Sequence, residues 1–230
     1  MRRLLLVAAV ALLAPGTAGA QSGSGLYAEN CLSCHGPGGS GTARGPRLRG
    51  VGAITADFYL RTGYMPLDKP SDQPTRRRSP FNAKEIDALI GYVASLGKGD
   101  PVPRPHPKRG SIPVGLRLFT EHCAGCHQVL GEGGYVTGAR VPPLKQANAT
   151  QIAEAVRLGP YVMPRFPKTQ ISDRQLDSLI AYVEWAKHPD DRGGWGIGHI
   201  GPVPEGLVAW LLAGTALVAV CIVLGKRNPA

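Results

Sequence analysis

Aromatic residues are scarce in this chain, at 6% of 230 residues, and among them are only four phenylalanines and three tryptophans. Small lobes with so few large side chains have thin cores, so the composition calls for something besides side chains to fill them. Methionine is scarcer still, with three in all, one of them the initiator. Acidic residues number 16 against 26 basic ones, a formal net charge of +10, which points to an acidic or anionic partner. Nucleic acid is the usual first thought for a basic protein, but no recognisable nucleic-acid-binding motif accompanies the charge. An alternating strand and helix pattern is also lacking, and this removes a thioredoxin-like dithiol from consideration. What is abundant is glycine, at 31, and proline, at 21, which implies many loops and linkers in a chain long enough for more than one domain.

Both ends carry apolar runs. Residues 1–20, "MRRLLLVAAVALLAPGTAGA", combine a basic start, an apolar stretch and a small-x-small ending at Ala18 and Ala20, which reads as a Sec-type signal peptide cleaved before Gln21. A retained anchor is the alternative, but the eleven residues from Leu4 to Ala14 fall short of the roughly twenty that a spanning helix needs. Residues 206–224, "GLVAWLLAGTALVAVCIVL", contain no charge and as a helix reach roughly 28 Å, enough to cross a bilayer. A buried core helix is the alternative, but it leaves no reason for uninterrupted apolarity on every side. Lys226 and Arg227 follow at once, so the positive-inside rule puts the tail, residues 225–230, in the cytoplasm and everything before the span on the extracytoplasmic side of the cell membrane. Cys221, inside the span, reads as a small packing residue.

Between these ends the chain repeats itself. The first copy runs "GLYAENCLSCH", "GPRL", "LRTGYMP" and "EIDALIGYVASL"; the second runs "GLRLFTEHCAGCH", "VPPL", "VRLGPYVMP" and "QLDSLIAYVEWA", in the same order. A Cys-x-x-Cys-His run is the attachment signature of c-type haem, in which two cysteines make thioethers and the histidine ligates iron. The pattern therefore assigns covalent haem c to Cys31 and Cys34 in one copy and to Cys123 and Cys126 in the other, with His35 and His127 as axial ligands. A zinc site needs four ligands, and each cluster offers three. Export agrees with the haem reading, since haem is attached outside the cytoplasm.

The two remaining methionines, Met65 and Met163, fall one in each repeat, thirty and thirty-six residues after the haem histidine, and each precedes a proline. That placement makes them the distal iron ligands, sulfur raising the reduction potential relative to bis-histidine; packing methionines are the plainer alternative. His122 adjoins Cys123 and is a weaker competitor for iron, while His106, His188 and His199 read as solvated side chains. Arg61 and Arg157 match between the copies and have two readings, pairing with haem propionates or lying in solvent. The run Arg76–Arg78 reads as a solvated loop or an electrostatic docking patch.

Each copy is expected to open with a short helix leading into the haem signature and to close with another. In the second copy Leu116, Phe119, Thr120 and Cys123 share one face. The closing helices carry Ile86, Leu89, Ile90 and Val93, or Leu176, Leu179, Ile180 and Val183, behind the candidate N-caps Asn82 and Ser172. Tyr92 and Tyr182 mark where the closing helix crosses the opening one.

Pro46 and Pro142, in "GPRL" and "VPPL", bring a resemblance to class I cytochromes c, in which the carbonyl of such a proline accepts a hydrogen bond from the proximal histidine. The expected fold is thus mainly α: two tandem class I cytochrome c domains plus one C-terminal transmembrane helix. The domains run 21–97 and 115–188, with a proline-rich semi-extended linker at 98–114 and a Gly/Pro-rich stalk at 189–205. Two six-coordinate haems leave no open iron position, so the chain has no catalytic residue of its own and electron transfer remains.

With "GPRLRGVGAITADFYLRTGYMP" and "GGWGIGHIGPVPEG" added, the chain resembles the dihaem cytochrome c subunit of the actinobacterial menaquinol:cytochrome c reductase, a cytochrome bc complex. The resemblance implies a respiratory supercomplex in which electrons travel from a Rieske iron-sulfur centre to a haem-copper cytochrome c oxidase, with cytochrome b as a further partner. It also implies that the first lobe faces the oxidase and the second the Rieske protein. The alternatives are a membrane-anchored dihaem shuttle accepting electrons from a periplasmic dehydrogenase, and a non-redox scaffold whose haems only staple small lobes.

Overall fold

Ser22 stands in an extended conformation and its hydroxyl accepts a hydrogen bond from the Gly25 N–H at 3.1 Å, which starts the first helix, α1 (Gly23–Asn30). In this computed structural model residues 22–188 and 202–227 are described, and the chain divides between Pro103 and Arg104 into two units. The expected leader and most of the expected stalk lie outside the described residues.

In the first unit α1 leads into a one-turn helix, α2 (Leu32–His35), that holds the end of the haem signature. Helices α3 (Gly52–Arg61) and α4 (Ala83–Ser95) complete the lobe. In the second unit α5 (Ile112–His122) and α6 (Ala124–His127) play the parts of α1 and α2. A two-stranded antiparallel hairpin follows, β1 (Gly134–Val136) paired with β2 (Ala139–Val141) so that Gly134 faces Val141, and then come α7 (Ala149–Leu158) and α8 (Asp173–Ala186). Asn82 and Ser172 cap the closing helices as expected, each in a reciprocal box with the residue three places on, Glu85 or Gln175.

Opening and closing helices cross through a glycine in both lobes. A Cβ at Gly115 would fall onto the Ser178 carbonyl and 2.7 Å from Cβ of Tyr182; one at Gly23 would fall onto the Ala88 carbonyl and 2.9 Å from Cβ of Tyr92. The aromatic neighbours then stack across the crossing, Tyr27 on Tyr92 at 5.0 Å and Phe119 on Tyr182 at 5.3 Å between ring centroids. Tyr92 and Tyr182 therefore sit where the sequence places them. Gly23 and Gly115 both lie eight residues before the first haem cysteine, so Gly23, rather than the Gly25 that opens "GLYAEN", is the equivalent of Gly115. The same crossing corrects the expected face of α5. Gly115, Leu118 and Phe119 are buried, whereas Leu116 is 42% exposed and Thr120 faces water, because the side without a side chain is the one that touches α8.

Each lobe has its own apolar cluster: Leu26, Tyr27, Leu60, Ile86, Leu89 and Val93 in the first, and Phe119, Ile152, Val156, Ile171, Leu179 and Ile180 among others in the second. The proline-rich stretch expected as a connector is hydrogen-bonded to the first lobe at Asp100 and to the second at His106 and Ser111. Ile54 N–H donates to the Asp100 carbonyl at 3.2 Å, while His106 N–H donates to Asp177 Oδ1 at 2.6 Å and Ser111 N–H to Ser178 Oγ at 3.1 Å.

The last helix, α9 (Pro202–Arg227), contains a segment, Gly206–Lys226, whose most apolar 18 residues have mean hydropathy 2.7, with none of them buried. Its 21 residues rise roughly 31 Å, so it is long and apolar enough to cross a membrane.

Candidate haem centres

The two haem signatures adopt one local structure. A single helical turn brings the second cysteine and the histidine round, and the chain then reverses so that the proline loop returns beside it. Nδ1 of His35 lies 2.8 Å from the Pro46 carbonyl and Nδ1 of His127 lies 3.2 Å from the Pro142 carbonyl. A carbonyl only accepts, so the protonated Nδ1 donates and Nε2 keeps its lone pair for a metal. Burial pushes the His127 pKa down, against the opposing pull of the Pro142 carbonyl, and this favours the neutral imidazole that binds iron.

Close backbone approach makes these bonds possible. A Cβ at Gly45 would lie 2.8 Å from the Cys34 carbonyl oxygen, and one at Gly133 would lie 2.7 Å from the Pro143 nitrogen, so only glycine lets each proline loop pass. Two residues beyond each proline the loop is fastened again, Leu48 N–H to the Gly39 carbonyl at 2.9 Å and Leu144 N–H to the Gly131 carbonyl at 2.8 Å.

A buried tyrosine hydroxyl secures the chain just past each histidine. Tyr27 donates to the Gly36 carbonyl at 2.7 Å and Tyr182 to the Val129 carbonyl at 2.6 Å. The opening helix supplies this donor in the first lobe and the closing helix supplies it in the second. Burial pushes both phenol pKa values up, so each remains a proton donor.

None of the four signature cysteines forms a disulfide. Burial, aided by the neighbouring cysteine, pushes the Cys31 thiol up to about 11 and the Cys123 thiol up to about 12. Reactive dithiols show the opposite, a depressed pKa that maintains a thiolate. Met65 and Met163 are half-buried, each packed against the apolar cluster of its own lobe, the cluster that Cys31 borders in the first and Cys123 joins in the second. Two cysteines, an imidazole with its Nδ1 fixed and a thioether packed on the apolar cluster of the same lobe are a donor set that fits a covalently held haem.

Both matched arginines are engaged within their own lobes. Arg61 pairs with Asp57 and Asp87, Nε to Oδ1 of Asp57 at 2.8 Å. Arg157 is buried and donates to the carbonyls of Phe166 and Ile171 and to Asp173. In the Arg76–Arg78 run, Arg77 turns back toward the Met65 loop and donates from Nε to the Gly63 carbonyl at 3.2 Å. The ring of His122 stands 5.7 Å from that of Phe166. Helices α3 and α7 also went unread in the sequence. For α7 a signal was present, Asn148 with Gln151 three places on, followed by Ile152 and Val156.

Asp173 accepts from Lys168 at 2.8 Å and from Arg157 at 2.9 Å, and these bonds hold its carboxyl below the ordinary carboxylate value. The stabilisation is present above the unfolded pKa and is lost as pH falls through the depressed folded value. Asp173→Asn is therefore expected to lower stability at neutral pH and to flatten its decline on acidification, as read by denaturant titration at several pH values.

These features define a protein of two cytochrome c domains. The "Cytochrome c" family model matches residues 20–97, and the model of "Cytochrome C oxidase, cbb3-type, subunit III" matches residues 110–183. Cytochrome c domains imply covalently bound haem c. The chain belongs to the cytochrome bc1 complex cytochrome c subunits: it is 33% identical to that protein of Corynebacterium diphtheriae over 90% of this chain and 81% of the relative, and 34% identical to that of Mycobacterium tuberculosis over 90% and 78%. A Cbb3-type cytochrome c oxidase subunit CcoP of Azospirillum is 30% identical over 70% of this chain and 60% of its own length. A solved reducing HAO-like protein complex of Kuenenia stuttgartiensis matches with 15% identity and a TM-score of 0.40, over 73% of this chain and 96% of that one, too loosely to bear on the fold.

Proposed function

We propose that the chain carries two haems c, one in each lobe, and conducts electrons from a Rieske iron-sulfur subunit to a haem-copper terminal oxidase within a membrane complex that also contains cytochrome b. Cys31 and Cys34, and Cys123 and Cys126, hold the two groups covalently, with His35 and Met65 or His127 and Met163 as axial ligands. The repeated histidine-to-proline hydrogen bond carries this reading, because it fixes the tautomer and the ring orientation that iron ligation requires, twice in one chain. When bound, each haem supplies a one-electron couple at its iron.

The chain's own residues do the tuning. The proline carbonyls make the imidazoles more basic, the thioethers favour the reduced state, and the apolar clusters pack against Met65 and Met163. Ligation from both sides leaves no place for a substrate, so quinol oxidation and oxygen reduction belong to partner subunits. The domain limits proposed are 21–97 and 115–188, with the apolar part of α9 spanning the membrane and Lys226 and Arg227 holding its C-terminal end on the cytoplasmic side. The first lobe serves the oxidase and the second the Rieske protein. Membership in the bc1 cytochrome c subunits supports cytochrome b and the Rieske protein as partners, and the likeness to an oxidase subunit supports association with an oxidase.

Purification through this chain in mild detergent tests the reading. Co-isolation of b-type haem, a Rieske protein and an oxidase is the expected result. A chain recovered alone, reducible by a soluble dehydrogenase and not by quinol, would contradict it.

A further inference from the structure

Each methionine lies in a loop whose carbonyls are gathered by an arginine. In the second lobe the Phe166 N–H returns to the Val156 carbonyl at 2.9 Å and closes the base of the loop that carries Met163. Arg157, at the end of α7, then donates from one terminal nitrogen to the Phe166 carbonyl at 2.9 Å and the Ile171 carbonyl at 2.8 Å, and from the other to Asp173 at 2.9 Å. Its side chain is only 10% exposed, and Phe166 and Ile171 are themselves buried. Those carbonyls have no water to turn to if the guanidinium leaves.

The first lobe reaches the same end from the other direction. The Arg77 N–H donates to the Thr62 carbonyl at 3.2 Å, closing the loop that carries Met65. Its side chain donates to the carbonyls of Gly63 and Pro66, which flank Met65, and to Asp68 at 3.0 Å. Here the arginine is 38% exposed and its carboxylate partner 80% exposed, so water competes for the bonds to Pro66 and Asp68.

We propose that Arg157 and Arg77 are positioning residues that strap Met163 and Met65 in place, and that the exposed strap makes Met65 the more readily displaced of the two. This rests on the reading of both methionines as iron ligands. A ligand held by a closed loop leaves the metal only when the loop opens, so the strength of the strap sets the opening equilibrium and hence the apparent affinity for any competing ligand.

The test is an imidazole titration of the oxidised, purified protein in its complex, following loss of the sulfur-to-iron charge-transfer band. Met65→Ala and Met163→Ala, each leaving one band, assign the two signals. In the wild type the Met65 band should disappear at the lower imidazole concentration. In Arg157→Gln the Met163 band should yield to imidazole at least about tenfold more readily, the equivalent of one lost hydrogen bond to a charged group. The Met65 band should not move. Arg157→Lys, which keeps the charge and one carbonyl bond, should fall between the two and serves alone if the glutamine variant does not accumulate. Arg77→Gln should shift only the Met65 band, and by less.

If Met163→Ala leaves the spectrum unchanged, the ligand assignment fails and the strap fails with it. If that variant loses its band while Arg157→Gln or Arg157→Lys binds imidazole as the wild type does, the ligand assignment stands and the strap is overturned. Displacement of Met163 before Met65 in the wild type overturns the ranking.

Discussion

Met163→Ala will extinguish the sulfur-to-iron absorption of one haem and lower that haem's reduction potential by on the order of a quarter of the roughly 0.8 V over which axial ligands set haem potentials. The thioether is a soft, neutral donor that favours ferrous iron. Its removal leaves the position to water or a harder side chain, and these favour ferric iron. Met65→Ala will do the same to the other haem, so the two variants together assign the potentials. Potentiometric titration reads both effects. A variant with both bands intact and unchanged potentials would show that Met163 is one of the packing methionines that fill gaps in cores.

Gly115→Val will unfold the second lobe far more readily, with a loss of about 3 kcal/mol, the upper end of what overpacking costs. Most inserted methyl groups meet flexible side-chain ends. Here the new Cβ meets the Ser178 carbonyl on the backbone of α8 and Cβ of Tyr182 at 2.7 Å, so whole helices must separate. Separation also pulls the Tyr182 hydroxyl from the Val129 carbonyl, loosening the chain just after His127. Gly23→Val is expected to do the same in the first lobe. Gly91→Ala provides the control: nothing lies within 4 Å of a Cβ there, and alanine in an exposed helix is neutral or stabilising by up to about 1 kcal/mol. Denaturant midpoints from far-UV circular dichroism read all three, and equal midpoints for Gly115→Val and Gly91→Ala would contradict the crossing.

The residues proposed to hold haem could be named from the sequence because that chemistry fixes their spacing. The cysteine-histidine runs, the paired methionines and the prolines that face the histidines could be read without any fold in hand. So could α4 and α8, whose apolar periodicity and caps agree with one another. The face of α5 was misread because a crossing glycine has no hydrophobicity to register; Leu116 and Thr120 gave the stronger pattern and face water. Helix α7 carries a cap and an apolar pair that mark it, but Gln151, Glu154 and Arg157 are buried within it, so its polar residues do not mark a solvent face. Arg77 was invisible for a different reason. A run of three arginines looks like solvated charge, and only the return of the chain past Gly63 shows that the middle one is turned to the methionine loop.

The most direct measurement is the intact mass of the mature polypeptide after denaturation, which strips away everything not covalently attached. The reading predicts the mass of the chain plus two haems, falling by one haem in Cys31→Ala/Cys34→Ala and by the other in Cys123→Ala/Cys126→Ala. A mature chain that carries no added haem, or whose mass is unchanged by either pair of substitutions, would contradict it.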